Sequence, residues 1–243
     1  MPKLSWWKIL SLVLLTYICW QGFLGPVPRL HIVNESIRNT YFHVPMWFGM
    51  VFLLTASVWN SIQYLRKGDL EYDVKSHGYI QVGIIYGILG LLTGMVWANY
   101  TWGAPWSNDP KQTASAIGLM IYFGCLVLRG SISAVRDKAR ISSVYSIFAY
   151  AIFIPLIFIL PRFTDSLHPG NGGNPAFGKY DMDNNMRMVF YPAVIAWILV
   201  GAWIADLVIR TQLLENRNYE NEYDQTSSDE RNDSVLDAGN VAG

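Results

Sequence analysis

The residues with the most chemical content lie between the third and fourth apolar stretches of the chain. They read Trp102-Gly103-Ala104-Pro105-Trp106-Ser107-Asn108-Asp109-Pro110-Lys111-Gln112-Thr113. A connection between two membrane helices has no packing reason to hold two Trp, a Gly, two Pro and an Asp. Trp presents a large flat face with one N–H donor, and it is favoured where one end is apolar and the other wet. A cluster of this kind at a membrane surface suits something flat and partly apolar.

The histidines supply the second part of the chemistry. All four (His31, His43, His77 and His168) fall near span ends or in loops, and none lies in the middle of a predicted helix. A membrane cytochrome that buries haem between facing helices needs a deep histidine pair, which this pattern does not offer. His43 opens the second helix in Tyr41-Phe42-His43-Val44-Pro45-Met46-Trp47, where Pro45 suits a first helical turn. His168 follows the fifth helix in Ser166-Leu167-His168-Pro169-Gly170. Two neutral imidazoles can ligate a haem iron from opposite faces. Porphyrin propionates need cations, and Arg29, Arg38, Lys111, Arg162, Lys179 and Arg187 are the candidates on the same side.

Ordinary readings stand beside these. A lone His at a helix mouth is usually a cap or interface residue. His31 lies in an unremarkable loop, and His77 reads as a plain interfacial residue on the other side. Trp6, Trp7 and Trp97 at span ends fit an aromatic belt. A belt could absorb Trp102 and Trp106, but it does not explain Asp109 or the Gly and Pro residues around it.

The elements that must position these residues are membrane helices. The 243 residues are 52% hydrophobic and only 15% charged, with 10 Trp and a net charge of zero; an average soluble domain is about 25% charged. No basic field for nucleic acid is present. Six charge-poor runs (residues 9–28, 39–65, 76–108, 112–128, 141–161 and 188–205) can each hold a span of about 20 residues. The expected helices are 6–25, 44–65, 78–98, 114–130, 141–160 and 188–209. The first reads as a retained helix rather than a cleaved signal, because no small-x-small site closes it. Cys19 and Cys125 sit inside apolar runs and form no CxxC or CxxCH motif, which argues against thiol redox chemistry or covalent haem attachment through such a motif. The interiors look nearly free of polar side chains, unlike an ion-coupled permease.

The fold class is therefore an all-α integral membrane protein of six transmembrane helices. Lys and Arg concentrate on the side holding both termini, which places the termini in the cytoplasm and the tryptophan loop outside. Residues 1–210 form the membrane domain. Residues 211–243 form a tail in which eight acidic residues between Glu215 and Asp237 face only Arg217 and Arg231, a composition expected to be disordered.

Three motifs in order now carry a family resemblance: Trp102-Gly103…Trp106…Asp109…Thr113, His43-Val44-Pro45 and Leu167-His168-Pro169-Gly170. Together with the six-helix layout and Pro155 in the fifth helix, they resemble the haem exporter protein C (CcmC) family of cytochrome c maturation, over about residues 10–210. Pro105 and Asn108 stand where that family usually carries tryptophan in its "WWD" loop. Asp109-Pro110-Lys111 is also similar to the related CcsA proteins. The resemblance implies a protein of the bacterial inner membrane that handles haem without acting as an enzyme. It implies haem b, held non-covalently at the periplasmic face with His43 and His168 as axial iron ligands. Trp102, Gly103, Trp106 and Asp109 would form the haem-binding loop. The implied partners are a periplasmic haem chaperone (CcmE-like), ABC-transporter-like subunits of the same system, and membrane lipid. The alternatives are a CcsA-like component of a cytochrome c haem lyase, a multipass permease for another solute, and a structural subunit without a ligand.

Overall fold

A backbone that leaves water for a bilayer must satisfy its N–H and C=O groups internally, so each apolar run closes on itself as a helix. The protein, here a computed structural model, is described over residues 5–28, 33–168 and 182–241, with side chains of the final helix described to Tyr219. Six helices are long and apolar enough to cross a membrane, and no strand occurs among the described residues. They are α1 (Trp6–Leu24), α2 (Thr40–Lys67), α3 (Leu70–Trp102), α4 (Pro110–Ser131), α5 (Val135–Ile154) and α6 (Asn184–Val241). A 3₁₀ turn, Glu35–Asn39, leads into α2. The protein is a multipass membrane protein.

The helices run further than apolar content alone predicts, because caps rather than hydrophobicity decide their ends. α3 starts at Leu70 instead of 78, where Asp69 accepts the Glu71 N–H at 2.9 Å as its N-cap. It stops at Trp102, where Gly103 takes φ +81° and closes the last turn. Trp102 is therefore the end of a helix, and the tryptophan loop shrinks to residues 103–109. Pro45 lies inside α2 rather than in its first turn, since the helix begins earlier, at Thr40. α5 passes at Pro155 into a π turn, Pro155–Ile159, because proline lacks the N–H that would continue the α ladder.

α2 is the central helix and packs against α3, α5 and α6, while α1 leans on α6. The α2–α3 seam is set by glycine spacing on α3. A Cβ at Gly83 would stand 3.0 Å from Leu54, and one at Gly87 would stand 2.8 Å from Leu119 and 2.9 Å from Met50. Such small residues let helix backbones approach where lipid offers no hydrophobic drive for association. The seam continues at Gly90 and Gly94, where it receives Trp47 and His43.

The far end of the bundle is more polar than the sequence expects. Asp73 and Arg129 form a buried bidentate pair at 2.7 Å. Next to it, Ser57, Ser61, Ser76 and Ser146 join α2, α3 and α5 by hydroxyl contacts of 2.8–3.2 Å. Serine spacing looks innocuous in a linear reading, and only packing turns four separate residues into one buried network.

The start of α1 meets the later part of α6 through Lys8 and Asp206 at 3.2 Å, so the chain returns to the end where it began. α6 continues as a helix through the acidic tail to Val241. Gln212 reaches Gln81 at 2.7 Å, and residues 214–219 are exposed. A helix nucleated by a packed span extends at little cost through good helix formers such as Leu, Gln and Glu.

The glycine seam makes a prediction. Gly87→Val forces a branched side chain against Leu119 and Met50, and should destabilise the bundle by about 1–3 kcal/mol. The measurement is the thermal unfolding midpoint in detergent; an unchanged midpoint would show that α2 and α3 are not in close contact there.

Candidate functional site

At the end of the bundle opposite Lys8 and Asp206, α2, α3, α4 and the segment after α5 surround a cavity of about 730 Å³. That volume is typical of sites for small molecules and cofactors. His43 and His168 both line it, from different elements, together with Trp97 and Trp102.

His43 lies in the first turn of α2 and fits against α3 only because Gly94 has no side chain. A Cβ there would stand 2.7 Å from the ring carbon Cε1. One turn back, Gly90 makes the same room for Trp47, at 2.9 Å. His43 Nδ1 lies 2.8 Å from the Gly90 carbonyl and 3.2 Å from Thr93 Oγ1. A carbonyl only accepts, so Nδ1 carries the proton and Nε2 keeps its lone pair.

His168 is held by Asp109. The carboxylate is the N-cap of α4, accepting the Lys111 N–H at 2.9 Å. It also accepts from Ser166 Oγ at 2.9 Å, the Leu167 N–H at 2.7 Å and His168 Nδ1 at 2.8 Å. Asp109 is 4% exposed. Burial pushes its carboxyl up, but the His168 ring, the Leu167 N–H and Ser166 outweigh burial and hold it well below the usual carboxylate range. Here too Nδ1 is engaged by an acceptor and Nε2 is left over.

The aromatic wall comes from α3. Trp102 meets the His168 ring edge-on at 4.7 Å between centroids, and Trp97 meets Trp102 at 5.2 Å. Trp106 does not line the cavity; its indole N–H donates to Asn108 Oδ1 at 2.9 Å. Asn108 holds φ +55°, a left-handed conformation that asparagine tolerates better than most residues. Gln112 pins the rest of the loop by accepting from Ser107 and donating to the Pro105 carbonyl.

The structure therefore brings His43, His168 and Trp102 together on the cavity. It sets Asp109 behind His168, places Gly103 at the cap of α3 and turns Trp106 away. Of the candidate cations, Lys111 and Arg162 line the cavity. Arg38 instead donates to the Gly22 and Gly25 carbonyls at the end of α1, at 3.1 and 2.7 Å. Arg187 does not line the cavity. His31, Arg29, Lys179 and the Pro169-Gly170 part of the third motif lie outside the described residues. Sequence reasoning missed Trp97, assigned to an aromatic belt, and Gly90 and Gly94. The available signal was the shared four-residue step: His43 and Trp47 on one helix, Gly90 and Gly94 on the next.

The donors on the cavity suit haem better than a bare metal ion. Among the described residues no three His, Cys, Asp or Glu side chains gather as a bare metal ion requires. Two imidazoles with free Nε2 atoms suit an iron that brings its own equatorial nitrogens. Aromatic walls and two cations complete a set that fits a flat dianionic ligand.

Comparison with known proteins adds to this geometry. The family model described as CcmC, Heme exporter protein C, matches residues 2–224. Heme exporter protein C of Bradyrhizobium diazoefficiens is 24% identical over 224 residues, covering 88% of this chain and 80% of its own. Heme exporter protein C of Haemophilus influenzae is 27% identical over 211 residues, covering 85% and 82%. Cytochrome c biogenesis protein CcsA of Trachelium caeruleum is 32% identical over 118 residues, but these are 47% of this chain and 35% of that protein. The match to the family model along nearly the whole membrane bundle shows that the chain belongs to the haem exporter protein C family.

Proposed function

We propose that the chain handles haem for cytochrome c assembly, holding it as cargo between His43 and His168 and presenting it to a downstream acceptor. The observation that carries this reading is the matched state of the two histidines. Each lines the same cavity, and each has Nδ1 tied to an acceptor, which leaves Nε2 for a metal. Haem supplies an iron with two open axial positions and two carboxylates.

The chain's own residues do the rest. Gly90 O and Thr93 orient the His43 ring, and Gly94 leaves room for it. Asp109 fixes the orientation of His168 and raises its ligand strength, as carboxylate partners of metal-binding histidines do. Trp97 and Trp102 exclude water from one wall, and Lys111 and Arg162 supply positive charge. Membership of the haem exporter protein C family supports a role in binding and delivery.

The Lys and Arg asymmetry supports an orientation with the cavity end at the periplasmic face of the inner membrane and both termini in the cytoplasm. In that orientation a periplasmic haem chaperone is the acceptor, and ABC-transporter-like subunits are neighbours in the same membrane. The partial likeness to CcsA supports a second reading, delivery of haem straight to a cytochrome c. Incubating the haem-loaded chain with each acceptor separates the two, since haem moves to the chaperone under the first and to apocytochrome under the second.

His43→Ala and His168→Ala should each abolish the low-spin bis-histidine absorption spectrum of protein purified from haem-replete cells. A spectrum that survives both substitutions overturns the axial assignment. Asp109→Ala should weaken haem binding about 10–100-fold, the usual effect of removing a carboxylate behind a ligating histidine. Undiminished affinity in a haem titration would show that Asp109 does not position His168. The domain division at 210/211 predicts that a chain ending at Leu214 binds haem like the full-length chain; loss of binding would make the tail part of the site.

A further inference from the structure

The cavity is not walled equally on all sides. Among the described residues, the exposed large apolar side chains that line it are Phe158 and Leu167, at 41% and 59% exposure. Both belong to the segment after Pro155. Ile159 and Leu160 beside Phe158 are exposed as well, yet do not line the cavity. The wall here is one turn thick, with the cavity on one side and the surroundings of the fifth span on the other. That span, Val135–Arg162, is long and apolar enough to cross a membrane, so its surroundings are lipid. The turn is the π segment Pro155–Ile159, and it packs on α4. Departures of this kind from α geometry are frequent at functional positions.

α2 supplies the opposite edge. It meets α5 where Thr55, exposed on the surface, brings Oγ1 within 2.6 Å of the Tyr150 hydroxyl. Outward of that link, Phe52, Phe48 and Val44 follow Thr55 at steps of three and four residues, which puts them on the same face of the helix. Phe52 is exposed, whereas Phe48 and Val44 line the cavity. One apolar stripe therefore runs from the lipid surface into the site. On α5, Ile157, Phe158 and Pro161 continue outward from Tyr150 along the cavity. Phe52 lies about 14 Å inward of His43 along the helix, so the stripe spans one leaflet of a hydrocarbon core about 30 Å thick. We propose that the cleft between this stripe and the turn after Pro155 is a lateral port through which haem passes between that leaflet and the cavity. This inference rests on the haem reading above. A flat apolar ring can move along the cleft without leaving hydrocarbon. Its carboxylates can stay at the level of Arg162, which is exposed at the end of the span.

The test separates route from affinity. The full-length chain is reconstituted into vesicles, and haemin is offered either dissolved in the bilayer or from water as its albumin complex. Loading is followed by the absorption spectrum, with excess apomyoglobin in the water as a haem trap. A port in the bilayer predicts that the initial rate of loading from the membrane is unchanged by the trap, and that loading from water is suppressed by it. Phe158→Ala widens the port, and should raise the rates of loading and of release severalfold together while the equilibrium affinity for haemin stays the same. Phe52→Ala, on the lipid surface, should act in the same direction and keeps the test decisive if Phe158→Ala fails to fold. Phe148→Ala, exposed on α5 inward of Tyr150, should alter neither rate. Membrane loading abolished by the trap overturns the port. So does a change in affinity with the loading rate unaltered, which would make Phe158 part of the binding wall, and so does an equal effect of Phe148→Ala. A wild-type chain that takes haemin from neither source overturns the haem reading as well, whereas one that loads only from water removes the port and leaves that reading standing.

Discussion

One carboxylate carries more of this site than any other group. Asp109 caps α4 through the Lys111 N–H and, with the same two oxygens, gathers Ser166, the Leu167 N–H and His168 Nδ1. The connection after α5 is thereby tied to the start of α4. A buried carboxylate is costly unless nearly all its acceptor sites are used, and here they are. The same interaction that makes Asp109 tolerable inside the protein also determines where His168 points.

The second histidine is placed by a different device. His43 is delivered by close approach of two helices, since α3 offers glycine where α2 offers a ring. Its orientation then comes from a backbone carbonyl rather than a carboxylate. The two seats differ in charge, one neutral and one anionic, yet leave the same ring nitrogen available. A carboxylate behind one imidazole makes it the stronger donor, so the two faces of a bound iron would be unequally held. Under the proposed reading, that asymmetry suits a protein that keeps haem and then gives it up.

The tryptophan-rich segment serves the site differently from a simple aromatic platform. The rings on the cavity, Trp97 and Trp102, belong to the last turns of α3, while Trp106 is turned aside and bonded to Asn108. Pro105 and Asn108 do not line the cavity either. Asn108 takes up a left-handed backbone at the bend into Asp109, and Gln112 holds the Pro105 carbonyl. The segment acts chiefly as a brace that presents Asp109 to His168.

Much of this was legible in one dimension. Six spans follow from apolar runs, because membrane insertion depends on local composition. His43, His168, Trp102 and Asp109 stand out because their residue types are unexpected at helix ends. Capping decided the helix limits, so Trp102 moved from loop to helix and the loop narrowed. The buried serines and the Asp73–Arg129 pair were invisible to a linear scan, since only packing shows which small polar residues face one another. Residue identity alone marked His43 and His168 as the groups proposed to ligate iron, and the spacing of charge determined how many helices carry them. The tertiary structure decided that Asp109 stands behind His168, that Gly94 accommodates His43, and that Trp97 belongs to the cavity. Those relations join residues tens of positions apart, and hydrogen bonds and close contacts at that range exist only once the helices have packed.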